Sequence, residues 1–288
     1  MAPADLVRLI ALAALWGASF LFMRIAAPSL GAIVTAEVRV LLAGILLYAY
    51  AVRLGEPVGL RKHWRPYLSI GAISSAIPFA LYSYSAMHSP AGLNAIINAT
   101  SPLYSAIAAA VFLGDRMTAV RLGAIVIGAA GVWVLAGDFT MIESPHAPWA
   151  LAAALVAALC YGLSGVYTKL TAPPVSPIVM TAGTQLGAAL LLAPLLPVMP
   201  IPGPITMVAV SAAVALSICA SAVGYVLYFQ LLRNVGPVRA IYVTFLIPVF
   251  GVFWGVVFLD EQISARAVAG GVLILIAVWL ETRINRTR

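Results

Sequence analysis

Residues 75–82 read "SAIPFALY", and residues 221–228 read "SAVGYVLY". Four of the eight positions are identical, and two more exchange like for like, Ile77 for Val223 and Phe79 for Tyr225. The octets stand 146 residues apart, and the same offset carries Pro102 onto Pro248, Leu113 onto Leu259, Asp115 onto Glu261 and Trp133 onto Trp279. Nearer the start of each half the offset is 145. There "WGAS" at 16–19, with Arg24 five residues beyond Ser19, meets "YGLS" at 161–164, with Lys169 five residues beyond Ser164. Convergent apolar sequence matches Ala, Leu and Val by chance, but it does not hold Pro, Trp and acidic residues in register. The chain therefore reads as a duplication, with residues 1–140 as the first copy and 141–288 as the second.

The material being duplicated is bilayer-spanning. Of the 288 residues, 63% are hydrophobic and only 9% are charged, where a soluble domain carries about 25% charged residues. Mean hydropathy is +1.06. A spanning helix needs about 20 apolar residues, and ten stretches qualify, at roughly 5–25, 32–52, 66–87, 91–112, 118–136, 148–170, 177–197, 205–232, 237–258 and 264–282. The first, "LVRLIALAALWGASFLFM", has a signal-peptide flavour but is long enough to span, and many spans follow it. Five spans per copy is an odd number, so the second copy enters the membrane from the opposite side. The expected fold is all-α, with ten transmembrane helices as a 5+5 inverted-topology repeat around a central cavity at the bilayer midplane.

Charge sets the expected orientation. Short-loop Lys and Arg accumulate on the cytoplasmic side. With the N-terminus inside, that side holds Arg8, Arg53, Arg61, Lys62, Arg65, Arg116, Arg121, Lys169, Arg233, Arg239, Arg283, Arg286 and Arg288, against Arg24 and Arg266 opposite. The longest outer connector holds Asp138 and Glu143 and no basic residue. A multi-pass protein of the cell membrane with both termini cytoplasmic is expected. The net charge of +7 suggests no nucleic acid, because the charges form no basic helix face. Cys160 and Cys219 lie in apolar runs and read as packed hydrophobes. His63, His88 and His146 fall at or beside loops without metal spacing, so neither metal nor cofactor is expected.

The pattern resembles the drug/metabolite transporter superfamily, in its ten-helix EamA-type branch. The marks are "ALWGASFLFMR" in the first span, Pro28 and Arg39 around the start of the second, and "SPLYSAIAAAVFLGDR" across the fourth. "GAIVIGAAGVWVL" in the fifth and "IPVFGVFWGVVFLDE" in the ninth complete the set. The sequence departs from that pattern at Asp115, where the family has Glu, and at Tyr161, which stands where the first copy has Trp16. Arg39 has no basic counterpart near 184–185, which read Thr-Gln. The resemblance implies export of small metabolites through a cavity built from helices 1, 3, 4, 6, 8 and 9, with 2, 5, 7 and 10 peripheral.

Candidate substrate contacts follow from the duplication. Tyr82 and Tyr228 end the repeated octets, and each offers an apolar ring and a hydroxyl; the alternative is an interfacial aromatic belt. Trp16 and Tyr161 open equivalent stretches and either line the path or pack against neighbours. Asn94 and Asn98 are four residues apart and share a helix face, to bind substrate or to join helices. Pro78, Gly224, Pro102 and Pro248 are candidate hinges, since Pro removes a backbone donor and Gly permits close approach; static kinks are the alternative. Glu37 and Arg39 are the charges well inside a span. Glu37 reads as a proton carrier or as a partner of Arg24. Arg39 reads as a side chain snorkelling to the headgroups. Asp115 and Glu261 read as caps of the helices they precede.

These readings converge on a secondary transporter that exports small metabolites, amino acids first, by alternating access. Its partners are a small-molecule substrate and the lipid bilayer. No "GxxxxGK[ST]" loop is present for ATP. Facilitated diffusion is favoured over proton coupling. An exporter of hydrophobic drugs or nucleosides is the alternative. A membrane-embedded enzyme would want clustered His, Asp or Glu beside the spans, which the chain lacks, so it reads as no enzyme. A scaffold remains a further class.

Overall fold

The computed structural model describes residues 1–140, 142 and 144–284. Glu143, Arg286 and Arg288 of the orientation argument lie outside the described residues, as does the side chain of Arg283. Among the described residues all regular structure is helical, as a bilayer demands of a backbone that must satisfy its own polar groups. The rods are α1 (Pro3–Leu30), α2 (Ala32–Arg53), α3 (64–88), α4 (Ala91–Leu113), α5 (Ala119–Thr140), α6 (Ala147–Thr171), α7 (Pro177–Leu195), α8 (Met207–Val235), α9 (237–259) and α10 (Ala265–Ile284). Eight helices are long and apolar enough to cross a membrane, and Val243–Leu259 is a shorter apolar helix.

Local chemistry sets the ends and the interruptions. Pro occupies the first helical turn of α1, α6 and α7, where its missing N–H costs nothing. Ser176 and Thr206 cap the starts of α7 and α8 through their hydroxyls, accepting from Val179 and Ala209. Two rods change hand-hold midway. In α3 a π-helical turn occupies Ala72–Ala76, and in α8 one occupies Leu216–Val223. The regular helix resumes at Ile77 in one and at Gly224 in the other, so both repeated octets straddle a π-to-α junction. Pro78 cannot donate to the preceding turn, and a widened turn accommodates its ring. In α8 the Ser217 hydroxyl donates to Ala213 O (2.7 Å) and Val38 O (3.0 Å), a form of back-bonding that loosens a helix. α4 breaks at residues 99–100, with Pro102 in the first turn of the resumed helix. Pro248 instead lies inside Val243–Leu259.

The packing follows the duplication. α5 lies along α10 and α2 along α7, and these pairs join equivalent rods of the two copies. α1 packs on α8 and α9, while α6 packs on α3 and α4. Small residues allow the closest of these approaches. A Cβ on Gly17 would sit 2.7 Å from Phe250 Cβ and 2.8 Å from Gly251 N, and one on Gly162 would sit 2.5 Å from Tyr104 Cβ and 2.7 Å from Ser105 N. The two contacts are equivalent under the 145–146 offset. Large side chains such as Trp133, Val111, Phe112 and Met207 point outward, the surface that lipid would cover.

Three sequence expectations are corrected here. Arg24 does not pair with Glu37; its Nη1 donates to the carbonyls of Ala86 (2.8 Å) and Met87 (3.0 Å), which the end of α3 leaves open. Glu261 does not cap its own helix. Its Oε1 and Oε2 accept from the amides of Ala91 (2.7 Å) and Gly92 (3.1 Å) at the start of α4. Arg39 does not snorkel: it is 7% exposed, held inside by partners on α1, α3 and α8.

Candidate functional site

A cavity of about 550 Å³ lies among the rods; α1, α2, α3, α4, α6, α8 and α9 contribute to its wall, and α5 and α10 reach it through Arg121, Glu281 and Thr282. Its chemistry is mainly aromatic. On one side Tyr82 stacks on Tyr161, with ring centroids 5.9 Å apart and planes 28° apart. Phe79 meets Tyr161 edge-on at 6.2 Å, and Phe20 meets Tyr82 edge-on at 5.4 Å. On the other side Trp16 lies 5.3 Å from Tyr228 and 6.3 Å from Tyr225. These distances fall in the range where ring pairs attract beyond simple burial.

Each ring is held by what surrounds it. The Trp16 indole N–H donates to Ala220 O at 3.0 Å, a carbonyl within the α8 π turn. Gly224 makes room for it, since a Cβ there would lie 2.7 Å from Trp16 Nε1. This, rather than an unusual dihedral, is what the glycine does at that place: its backbone is helical, with φ −56° and ψ −47°. The Tyr82 hydroxyl donates to Asn98 Oδ1 at 3.2 Å, which ties α3 to the last turn before the α4 break. Tyr225 OH accepts from Gln185 Nε2 at 3.3 Å. Tyr161 and Tyr228 line the cavity and make no side-chain hydrogen bond among the described residues, so their hydroxyls are available to a bound solute.

Trp16, Tyr82, Asn98, Pro102, Tyr161 and Tyr228 thus stand on one wall system. Asn94 does not join them. It is fully buried, with Oδ1 accepting from Ser85 Oγ (2.7 Å) and Nδ2 donating to Ser89 Oγ (2.8 Å) and Pro90 O (3.3 Å). That set nearly exhausts an amide's capacity and joins α4 to the end of α3. Pro78, Gly224 and Pro248 stand behind the lining, and Glu37 is buried off the cavity with Oε2 unpartnered among the described residues. Among the lining residues outside the sequence-based substrate contacts are Phe79, Tyr225 and Arg39. The first two were visible as the like-for-like exchange inside the octets. Arg39 was visible as a charge without a counterpart.

Toward one end the wall includes Asp115, Arg121, Glu281 and Thr282. Arg121 Nε donates to Glu281 Oε1 at 3.0 Å, and its Nη1 lies 3.6 Å from Asp115 Oδ2. At the other end Glu261 holds α4, Arg24 holds the end of α3, and His88 stacks on His146 at 4.6 Å.

A helical membrane body with an internal cavity lined mainly by aromatic side chains suits the carriage of a small solute. The profile of the EamA-like transporter family matches residues 6–137 and again residues 148–283, and the chain belongs to that family. It is a multi-pass membrane transporter, and not an enzyme, with a small-molecule substrate. It is 28% identical to the probable terminal-alkyne amino-acid exporter of Streptantibioticus cattleyicolor, over 94% of this chain and 90% of that protein. It is 26% identical to Protein PecM of Dickeya dadantii, over 94% and 89%. It is also 26% identical to the WAT1-related protein At3g02690, chloroplastic, of Arabidopsis thaliana, over 92% of this chain and 66% of that protein. A solved crystal structure superposes with a TM-score of 0.65 at 20% identity, covering 98% of this chain and 99% of that one, which speaks to the fold alone.

Proposed function

We propose that the protein is a secondary transporter that exports small metabolites, amino acids first, by alternating access between two inverted five-helix repeats. Residues 1–140 and 141–288 are the two repeats, and all ten rods cross the membrane with both termini cytoplasmic. The observation that carries this reading is the cavity wall, to which equivalent positions of the two copies contribute: Trp16 and Tyr161, Phe79 and Tyr225, Tyr82 and Tyr228. Central sites between inverted repeats are the common plan of secondary transporters. The equivalent glycine contacts at Gly17 and Gly162 support it, and so does the double profile match.

Trp16, Tyr82, Asn98, Tyr161 and Tyr228 hold the solute. The ring faces take its apolar part and can attract an ammonium, and the free hydroxyls of Tyr161 and Tyr228 bond its polar groups. The joints at Pro78, Pro102, Gly224 and Pro248 absorb the rocking. Transport runs down the solute gradient, and Glu37, buried but off the path, is a candidate for carrying a proton. The name of the Streptantibioticus cattleyicolor relative is consistent with an amino-acid cargo. The stacked Tyr82–Tyr161 wall supports a second reading, a planar aromatic cargo such as a nucleoside. Efflux of labelled amino acids and nucleosides from proteoliposomes separates the two. Amino-acid efflux that requires the protein is expected; its absence across the whole panel would overturn the amino-acid assignment.

A further inference from the structure

We propose that Arg39 is the cavity's carboxylate anchor, and that the cargo carries one carboxylate and no second negative charge. The inference rests on the cavity being the transport site, and it adds the charged group by which that site selects.

Arg39 is a permanent cation on a residue 7% exposed, beside the Phe79 ring on the cavity wall. Removing a guanidinium from water is costly unless its donors are met and its charge is balanced. The protein meets only part of that need. Nε donates to Ser221 Oγ at 3.0 Å, Nη1 faces Met23 Sδ at 3.8 Å, and Cζ lies 3.6 Å above the Phe79 ring. A guanidinium has five N–H donors. The Nη2 side has no acceptor among the described residues, and no carboxylate among them lies within 4.0 Å.

The other cation of the wall makes the contrast plain. Arg121 is matched by Glu281 at 3.0 Å and faces Asp115 at 3.6 Å. Arg39 has no carboxylate partner among the described residues. Glu37 is two residues away, and residues at that spacing do not share a helix face; Glu37 does not line the cavity.

The group is also held for docking. Ser221, in the α8 π turn, fixes Nε, and Phe79 covers one face of the plane. What remains is the terminal edge of the fork, the edge that takes a carboxylate with two parallel hydrogen bonds. A single cation balances a single negative charge. A dicarboxylate or a phosphate dianion would leave a second charge against aromatic walls. Beyond Arg39 the Phe79–Tyr161–Tyr82 series offers an apolar surface for the cargo's stem. At the 146-residue offset the second copy has Gln185, a neutral amide bound to Tyr225, so the anchor exists on one side only and the cargo binds in one orientation.

The test uses the full-length protein in proteoliposomes and compares solutes that differ only at the carboxyl group. The panel holds neutral amino acids, their carboxamides, simple monocarboxylates, dicarboxylates and nucleosides. Saturable flux is expected for acids, with the carboxamides weaker by about tenfold to a hundredfold, the range for charge-assisted hydrogen bonds. R39Q should erase the preference for acid over amide, and R39K should keep it in part, since the charge stays and the fork is lost. The comparison on the unaltered protein does not depend on either variant folding. Equal transport of acid and amide, saturable flux of nucleosides alone, R39Q retaining the full acid preference, or no flux of any carboxylate each overturns the proposal. Arg39-dependent flux of monocarboxylates but not amino acids would sink the amino-acid assignment and leave the anchor standing. Amino-acid flux indifferent to the carboxyl group would do the reverse.

Discussion

Arg39 against Phe79 and Gln185 against Tyr225 occupy equivalent places in the two copies. In the first copy a guanidinium carbon lies over a benzene ring, 3.6 Å from its centroid; in the second an amide donates to a phenol. The rods around them pair in equivalent fashion, and so do the glycine contacts at Gly17 and Gly162. The scaffold has kept the symmetry of the duplication while the polar chemistry of the cavity has not. Packing constrains both copies alike, because each rod must bury the same kind of face. A binding site has no such constraint, and one charged anchor suffices to orient a solute.

The largest effect should come from moving the charge across that comparison. R39Q should lower carboxylate flux by tenfold or more, in line with the loss of a charge-assisted hydrogen bond. Adding Q185R should fail to restore it, because Ser221, Met23 and Phe79 seat a guanidinium that arrives from α2, whereas residue 185 faces Tyr225 from α7. Recovery in the double variant, measured by proteoliposome flux, would mean that the copies are interchangeable. The scaffold comparison predicts the opposite pattern. Gly17→Val and Gly162→Val should each destabilise by about 1–3 kcal/mol through overpacking, with similar losses in thermal unfolding of the purified protein. A large difference between them would break the structural equivalence. The smallest effect separates the two octet tyrosines. Tyr82→Phe removes the bond to Asn98 and should cost about 1 kcal/mol of stability. Tyr228→Phe removes no bond among the described residues; it should leave thermal stability unchanged and alter only apparent affinity.

The all-helical membrane class, the family and the positions of most of the wall aromatics were legible in the sequence because they rest on pattern. Aligned Trp16 and Tyr161, or Tyr82 and Tyr228, need only register to be found. Arg39 stood out as a charge without a counterpart, but its inward turn was not legible, because an arginine near the end of an apolar run has the same local sequence whether it reaches for headgroups or turns inward. Its depth and rotation are set by how α2 packs against α7 and α8. Asn94 failed in the opposite sense: the shared face with Asn98 is real, but the end of α3 supplies Ser85 and Ser89 and absorbs it. Glu261 finds its amides 170 and 169 residues away, beyond the reach of any local cap rule.

That carboxylate has a mechanical consequence. Its two oxygens accept from consecutive amides, so α4 cannot slide by one residue against the α9–α10 connector without stranding donors. The contact acts as a register pin. It leaves rotation about the pin free while blocking translation along the helix, and it obliges the Ala91–Asn98 segment to travel with the connector as one piece. The nearest place where α4 can shear is then the break at residues 99–100, beside Asn98 and Pro102 on the cavity wall. The pinned end of α4 and the cavity wall are thus separated by a single break in the helix.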